Sequence, residues 1–153
     1  MQTAWRIVKP RRVADAFSGE GARLFGGRWN SIGRPVVYAA ESKALAALEI
    51  LVHIIDDSLM DEYLCIPVRF DPRLAKLLDL KSLPDDWRKT PPGASTQGLG
   101  DAWVADNLSV VLEVPSVLIP GESNYLINPR HPNFGKLQVG APEPFEFDPR
   151  LMR

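Results

Sequence analysis

At 153 residues, with 45% hydrophobic and 24% charged side chains, the chain has the size and balance of one globular domain, read here as residues 1–153. Its 18 basic and 19 acidic residues leave a formal net charge of −1, without the basic excess through which nucleic-acid binders neutralise phosphate. The lone Cys65 cannot form an internal disulfide, no stretch is long enough to span a membrane, and the N-terminus lacks a signal-peptide layout. The expectation is therefore a cytoplasmic protein that contacts neither nucleic acid nor membrane directly.

Trp5-Arg6-Ile7-Val8 reads as a first strand closed by Pro10, and residues 11–17 as a brief helix ending at Gly19 and Gly21. From there to Gly33 the glycine-rich, polar sequence reads as a loop, and residues 35–39 as a buried strand. Ser42 is a suitable N-cap for a helix over residues 43–55, with Leu45, Leu48, Val52 and Ile55 marking its packed face. Leu64, Ile66, Val68 and Phe70 alternate as in a strand, which Pro67 demotes to an edge or a bulge. Residues 81–95 are proline-rich and irregular, either a lid or a long connection. A helix over residues 97–107 is weakened by Gly98 and Gly100. Residues 109–114 read as a strand running into Pro115-Ser116, followed by Asn124-Tyr125-Leu126-Ile127-Asn128, a turn through His131, and a last strand near residues 144–147. Strands interspersed with a few helices indicate an α+β domain.

The chemistry concentrates in Gly26-Gly27-Arg28-Trp29-Asn30. Two glycines let the backbone approach a ligand closely, and the arginine after them offers a planar fork suited to phosphate. Tyr38 lies in an apolar strand, where tyrosine is ordinarily core with a satisfied hydroxyl. Glu49 falls at about 100° per residue on the edge of the packed helix face, beside Leu45 and Val52, so it is either paired or functional. His53, four residues on, is placed to pair with it structurally. Ser116 sits at a strand end with no base nearby in sequence, which argues against a nucleophile. Asn124, Asn128 and His131 form a polar cluster that reads first as structural. Gly19-Glu20-Gly21 lacks the third glycine of a dinucleotide fingerprint, there is no P-loop, and His53, His131 and Cys65 show no metal-ligand spacing. No metal and no bound cofactor are expected.

The order of Arg28, Tyr38, Glu49 and Ser116, between Trp5-Arg6 and the Phe147-Asp148-Pro149-Arg150-Leu151 tail, resembles the RES-domain family, named for its Arg, Glu and Ser. That resemblance implies an ADP-ribosyltransferase-like split sheet around a cleft, with NAD as substrate rather than cofactor. It further implies a toxin that breaks the nicotinamide–ribose bond, with Glu49, Arg28 and Ser116 as catalytic residues. Arg28 and Arg6 would hold the phosphates, Tyr38 and Ser116 would shape the nicotinamide pocket, and Asn124 would support substrate binding; Ser123 competes with Ser116 for the family's serine. The implied partner is an Xre-type helix-turn-helix antitoxin, with a toxin homodimer inside the complex. Transfer of ADP-ribose to a protein uses the same half-reaction and stays open, as does a non-catalytic NAD- or partner-binding module.

Overall fold

Eight strands carry the fold in the computed structural model, which describes residues 1–54 and 56–152. In chain order they are β1 (Gln2–Val8), β2 (Val37–Ala40), β3 (Tyr63–Phe70), β4 (Ala75–Leu77), β5 (Val111–Pro115), β6 (Ser123–Ile127), β7 (Gln138–Val139) and β8 (Glu143–Phe145). Three α-helices accompany them, α1 (Glu20–Phe25), α2 (Lys43–Leu51) and α3 (Ala94–Ala105). The strands join one mixed sheet in the order β4-β5-β6-β2-β1-β3, with β7 and β8 both pairing to β3. Among the described strand pairs only β4–β5 is parallel.

The joint between β1 and β2 divides the sheet. β1 pairs with β3 along its whole length, from Gln2 opposite Phe70 to Val8 opposite Leu64. Against β2 it makes a single ladder pair, Trp5 opposite Ala40, before the strands part. The Arg6 side chain fills the seam so opened, donating from Nε to the Ala16 carbonyl at 2.6 Å and from Nη1 to the Tyr38 carbonyl at 2.9 Å.

Pro67 does not place β3 at the edge. Instead the outer neighbour is broken in two around it: β7 reaches Val68 and Arg69, and β8 takes Tyr63 to Cys65. Gly140 closes the gap by donating its N–H to the Pro67 carbonyl at 2.8 Å, and a Cβ there would lie 2.7 Å from the proline ring.

Side-chain alternation sorts the sheet into two faces. One carries Ala4, Val37, Ala39, Val68, Phe70, Val111, Tyr125 and Ile127. The other carries Tyr38, Leu112, Val114 and Leu126, packed on Trp29 and Trp103 of the α3 side. Next to that group, Ile7, Ala40 and Cys65 pack under α2. Ser42 caps α2 as the sequence predicts, its Oγ accepting the Leu45 N–H at 3.0 Å. The helix ends at Leu51, however, and Val52 is exposed; the predicted final position, Ile55, lies outside the described residues. The packed face is carried by Leu45 and Ala46, with Ala47, Ile50 and Leu51 beside them. Full burial of a leucine such as Leu45 contributes roughly 2 kcal/mol. The stretch read as a loop before Gly33 contains α1, which starts after Gly19 at φ 74° and stops at Gly26 at φ 71°, so glycines bound the helix rather than exclude it.

Candidate functional site

The Gly26–Asn30 stretch is a tight turn held from three sides. Gly26 returns its N–H to the Ala22 carbonyl at 2.8 Å, and Gly27 donates to the Asn30 carbonyl at 3.0 Å. The second glycine makes room inside the protein rather than for a ligand: a Cβ on Gly27 would lie 2.6 Å from the Tyr38 hydroxyl. That hydroxyl accepts the Trp29 N–H at 3.1 Å and donates to Asn30 Oδ1 at 2.5 Å. Burial pushes its pKa far above the ordinary tyrosine value, so it is a neutral donor. The expectation of a satisfied core hydroxyl therefore holds, and what Tyr38 offers beyond the turn is its ring.

Asn30 and α3 complete the support. Asn30 is fully buried, and its Nδ2 reaches the carbonyls of Ala22, Ser31 and Arg34 at 2.8, 3.2 and 3.1 Å. On the other side Gln97 Nε2 donates to the Gly27 carbonyl at 3.1 Å. Asp101 accepts from the Ser31 N–H at 3.0 Å and the Ser31 hydroxyl at 2.6 Å. Sequence reading includes Asn30 in the motif without a role of its own, and it misses Gln97 and Asp101. The one available signal was an asparagine next to a tryptophan inside a glycine-flanked turn.

Arg28 is the side chain this turn carries outward. Its Nη1 donates to the Trp87 and Lys89 carbonyls at 2.9 and 2.8 Å, and its Nη2 to Thr90 Oγ1 at 3.4 Å. Partial burial lowers its pKa from the ordinary arginine value, and the charge of Glu49 opposes that shift, so the guanidinium stays cationic.

Glu49 comes to the same face from α2. Its Oε1 accepts from Asn124 Nδ2 at 3.0 Å. Asn124 stands on β6 opposite Ala40 of β2, and Leu126 stands opposite Tyr38, so all four side chains share one face of the sheet. His53 does not join the pair; it is exposed in the turn beyond α2.

Two predicted site residues lie apart from this group. Trp5 shares the face of Ala40, so its neighbour Arg6 projects to the other face and into the seam. It is held by backbone carbonyls there and is not gathered with Arg28 and Glu49. Desolvation lowers its pKa, with Asp15 opposing. Ser116 is fully buried, and its Oγ accepts the N–H groups of Leu118 and Ile119, each at 3.1 Å. It shapes the β5–β6 turn, whose Leu118 and Ile119 pack in the cluster under α2. Ser123 uses its backbone instead, donating its N–H to Glu41 Oε1 at 2.7 Å. Asn128 and His131 brace the following turn: Asn128 Oδ1 accepts the Arg130 N–H and His131 Nδ1 that of Asn133. Two shallow surface concavities, one beside Met1, Asp71 and Lys136 and one beside Lys9, Met60 and Glu62, include none of the site residues.

Taken together, these features define an α+β domain whose sheet is split beside its second strand, with a cation, an aromatic ring and a carboxylate gathered on one face. The RES domain matches residues 3–148, and the chain belongs to that family. It is 41% identical over 148 residues to "Toxin Res" of Yersinia enterocolitica, covering 96% of this chain and 97% of the relative. It is 37% identical over 150 residues to "Toxin Res" of Photorhabdus laumondii, covering 97% and 96%. To the "Prs ADP-ribosylating toxin" of a Sphingobium species it is 38% identical over 154 residues, covering 97% and 96%. In fold it is similar to a chain of the M. tuberculosis MbcT–MbcA toxin–antitoxin complex, with a TM-score of 0.76 at 22% identity over 95% of this chain and 84% of that one. Among the described residues, no helix is long and apolar enough to cross a membrane.

Proposed function

We propose that this protein is the toxin of a toxin–antitoxin pair and that it consumes NAD by breaking the nicotinamide–ribose bond. The observation that carries the proposal is Glu49, held by Asn124 on the face that also bears Tyr38 and the Arg28 cation. As the C1′–N bond breaks, its electron pair leaves with neutral nicotinamide and positive charge grows on the ribose. A fixed carboxylate stabilises that charge, as in glycoside hydrolysis. Arg28 holds the pyrophosphate, the Tyr38 ring borders the nicotinamide, and Ser116 acts through the turn it organises. Arg6 acts from the opposite face, supporting the split in the sheet through the Ala16 and Tyr38 carbonyls.

The names of the relatives support a toxin, and one of them supports a second reading. The Sphingobium relative is called an ADP-ribosylating toxin, which favours transfer of ADP-ribose to a protein over transfer to water or inorganic phosphate. The partner is then an antitoxin, of the Xre type, that covers a homodimer of this chain.

The test is nicotinamide release from NAD by the purified protein, alone, with phosphate, and with candidate protein acceptors while label is followed onto protein. Release without protein labelling supports hydrolysis or phosphorolysis, and labelling supports transfer. Tight NAD binding with no release in any arm would leave a non-catalytic binding module and overturn the proposal. In cells, expression should arrest growth as NAD falls, and arrest at constant NAD would count against NAD depletion.

A further inference from the structure

The irregular segment between β4 and α3 makes a structured contact with Arg28. Within it the Trp87 N–H bonds to the Pro84 carbonyl at 3.1 Å and the Lys89 N–H to the Asp86 carbonyl at 2.9 Å, giving two consecutive turns. Arg28 is one of several anchors that seat it. Leu83 and Trp87 pack into the cluster of Trp29 and Trp103, and Asp86 Oδ1 accepts the Ser95 hydroxyl of α3 at 2.8 Å. The segment therefore presents the Trp87 and Lys89 carbonyls at fixed positions, where both take hydrogens from Arg28 Nη1.

The choice of partner has an electrostatic consequence. Carboxylates pair with Arg12, Arg23, Arg34, Arg73 and Arg150. Arg28 forms no ion pair of that kind among the described residues, and its partners are neutral oxygens. Neutral oxygens orient a guanidinium without cancelling its charge. Three of its five donors are committed in this way, which leaves Nε and one Nη2 hydrogen, the side-on edge that matches a phosphate bidentately.

We propose that residues 84–90 are a positioning strap whose Trp87 and Lys89 carbonyls orient Arg28 so that its Nε–Nη2 edge is presented as a fork for the pyrophosphate of the dinucleotide. This rests on the reading of Arg28 as the phosphate-holding residue, and it makes the strap a determinant of substrate affinity through Arg28. An arginine without the strap keeps its charge and loses its aim.

The experiment measures binding of ADP-ribose, and of adenosine as a phosphate-free control, to the wild type, Trp87→Ala and Trp87→Phe. We expect Trp87→Ala to weaken ADP-ribose about ten-fold or more, because one misaligned charge-assisted bond is worth about that factor. Adenosine should be unaffected, and Trp87→Phe, which reseats the strap, should restore ADP-ribose affinity. Unchanged ADP-ribose binding in Trp87→Ala overturns the proposal, as does equal loss of adenosine, which would mean a general collapse. A second arm reads the contact itself. Trypsin should cut after Arg88 and Lys89 about ten-fold faster in Arg28→Ala than in wild type at matched melting temperature, since cutting follows the opened population. Equal cutting there sinks the strap contact. Faster cutting without any wild-type binding of ADP-ribose sinks instead the phosphate fork and the function proposed above. Hydrogen exchange of the amides of residues 85–90 and 93 in wild type, with and without ADP-ribose, serves if the variants do not fold; unaltered exchange refutes the fork.

Discussion

Gly100 is where the site can be moved by one methyl group. A Cβ built there would lie 1.6 Å from the Trp29 carbonyl oxygen and 2.7 Å from its carbon, both backbone atoms that cannot rotate away. To reach the 3.0 Å that real contacts respect, α3 and the Arg28 turn must separate by about 1.4 Å. Three bonds cross that interface, Gln97 to Gly27 at 3.1 Å and Asp101 to Ser31 at 3.0 and 2.6 Å. Stretching them costs about 1 kcal/mol each, and overpacking adds about 1–3 kcal/mol. Against this, alanine gains about 1 kcal/mol of helix propensity over glycine. The net expectation for Gly100→Ala is a loss of about 3–5 kcal/mol, or roughly 10–15 °C in Tm for a domain of this size. Gly98 lies on the same helix with nothing within 4 Å of its Cβ, so Gly98→Ala should stabilise by up to about 1 kcal/mol. Urea denaturation of both variants against wild type measures the contrast. If Gly100→Ala is as stable as Gly98→Ala, the close approach of α3 to the Arg28 turn is wrong, and with it the account of how Arg28 is held.

Glu49→Gln keeps an oxygen for Asn124 and should fold normally with ADP-ribose affinity little changed, yet nicotinamide release should fall on the order of 10²-fold or more; wild-type turnover in a folded variant removes the carboxylate from the mechanism. Arg28→Lys keeps the charge but not the fork, so most activity should be lost while the fold persists, and near-normal turnover and affinity would return Arg28 to an ordinary surface role. Tyr38→Phe leaves the Trp29 N–H and Asn30 Oδ1 unpaired and should cost about 1–3 kcal/mol in denaturant melts, with an unchanged midpoint contradicting the hydroxyl's place in the turn. Because burial raises the Tyr38 pKa in the folded state, its contribution is complete below about pH 10, where the unfolded tyrosine starts to ionise, and declines above it. Tyr38→Phe should flatten that alkaline decline in part, Tyr125, pushed up to about 12, supplying the remainder.

How far the sequence foretold the site depends on whether local pattern or topology placed each residue. Ser42 and the apolar spacing after it located α2 without help, because capping and periodicity are local. The face of that helix was misjudged because alanines carry part of it: with Leu45 and Ala46 buried, Glu49 falls at about 40° from Leu45, inside the packed arc rather than at its edge. Both readings nevertheless bring the carboxylate to the sheet. Arg6 could not be placed by its alternation with Trp5 alone. The seam that receives it exists only because β1 and β2 share one ladder pair, a fact of tertiary geometry.

Asn124 makes the same point at the centre of the site. It stands 75 positions from Glu49 in the chain, and it reaches the carboxylate because β6 is inserted between β5 and β2, opposite Ala40. Nothing in the linear order of Arg28, Glu49 and Ser116 shows that insertion. The glycine-flanked motif divides in the same way. Gly26, Gly27, Trp29 and Asn30 are occupied with the turn, with Tyr38 and with α3, and Arg28 alone is turned outward, onto neutral carbonyls. A motif that resembles a ligand-binding loop is therefore mostly a device for holding one arginine still. Its surroundings leave that arginine charged and leave an edge of it open, which is the condition an anionic substrate requires.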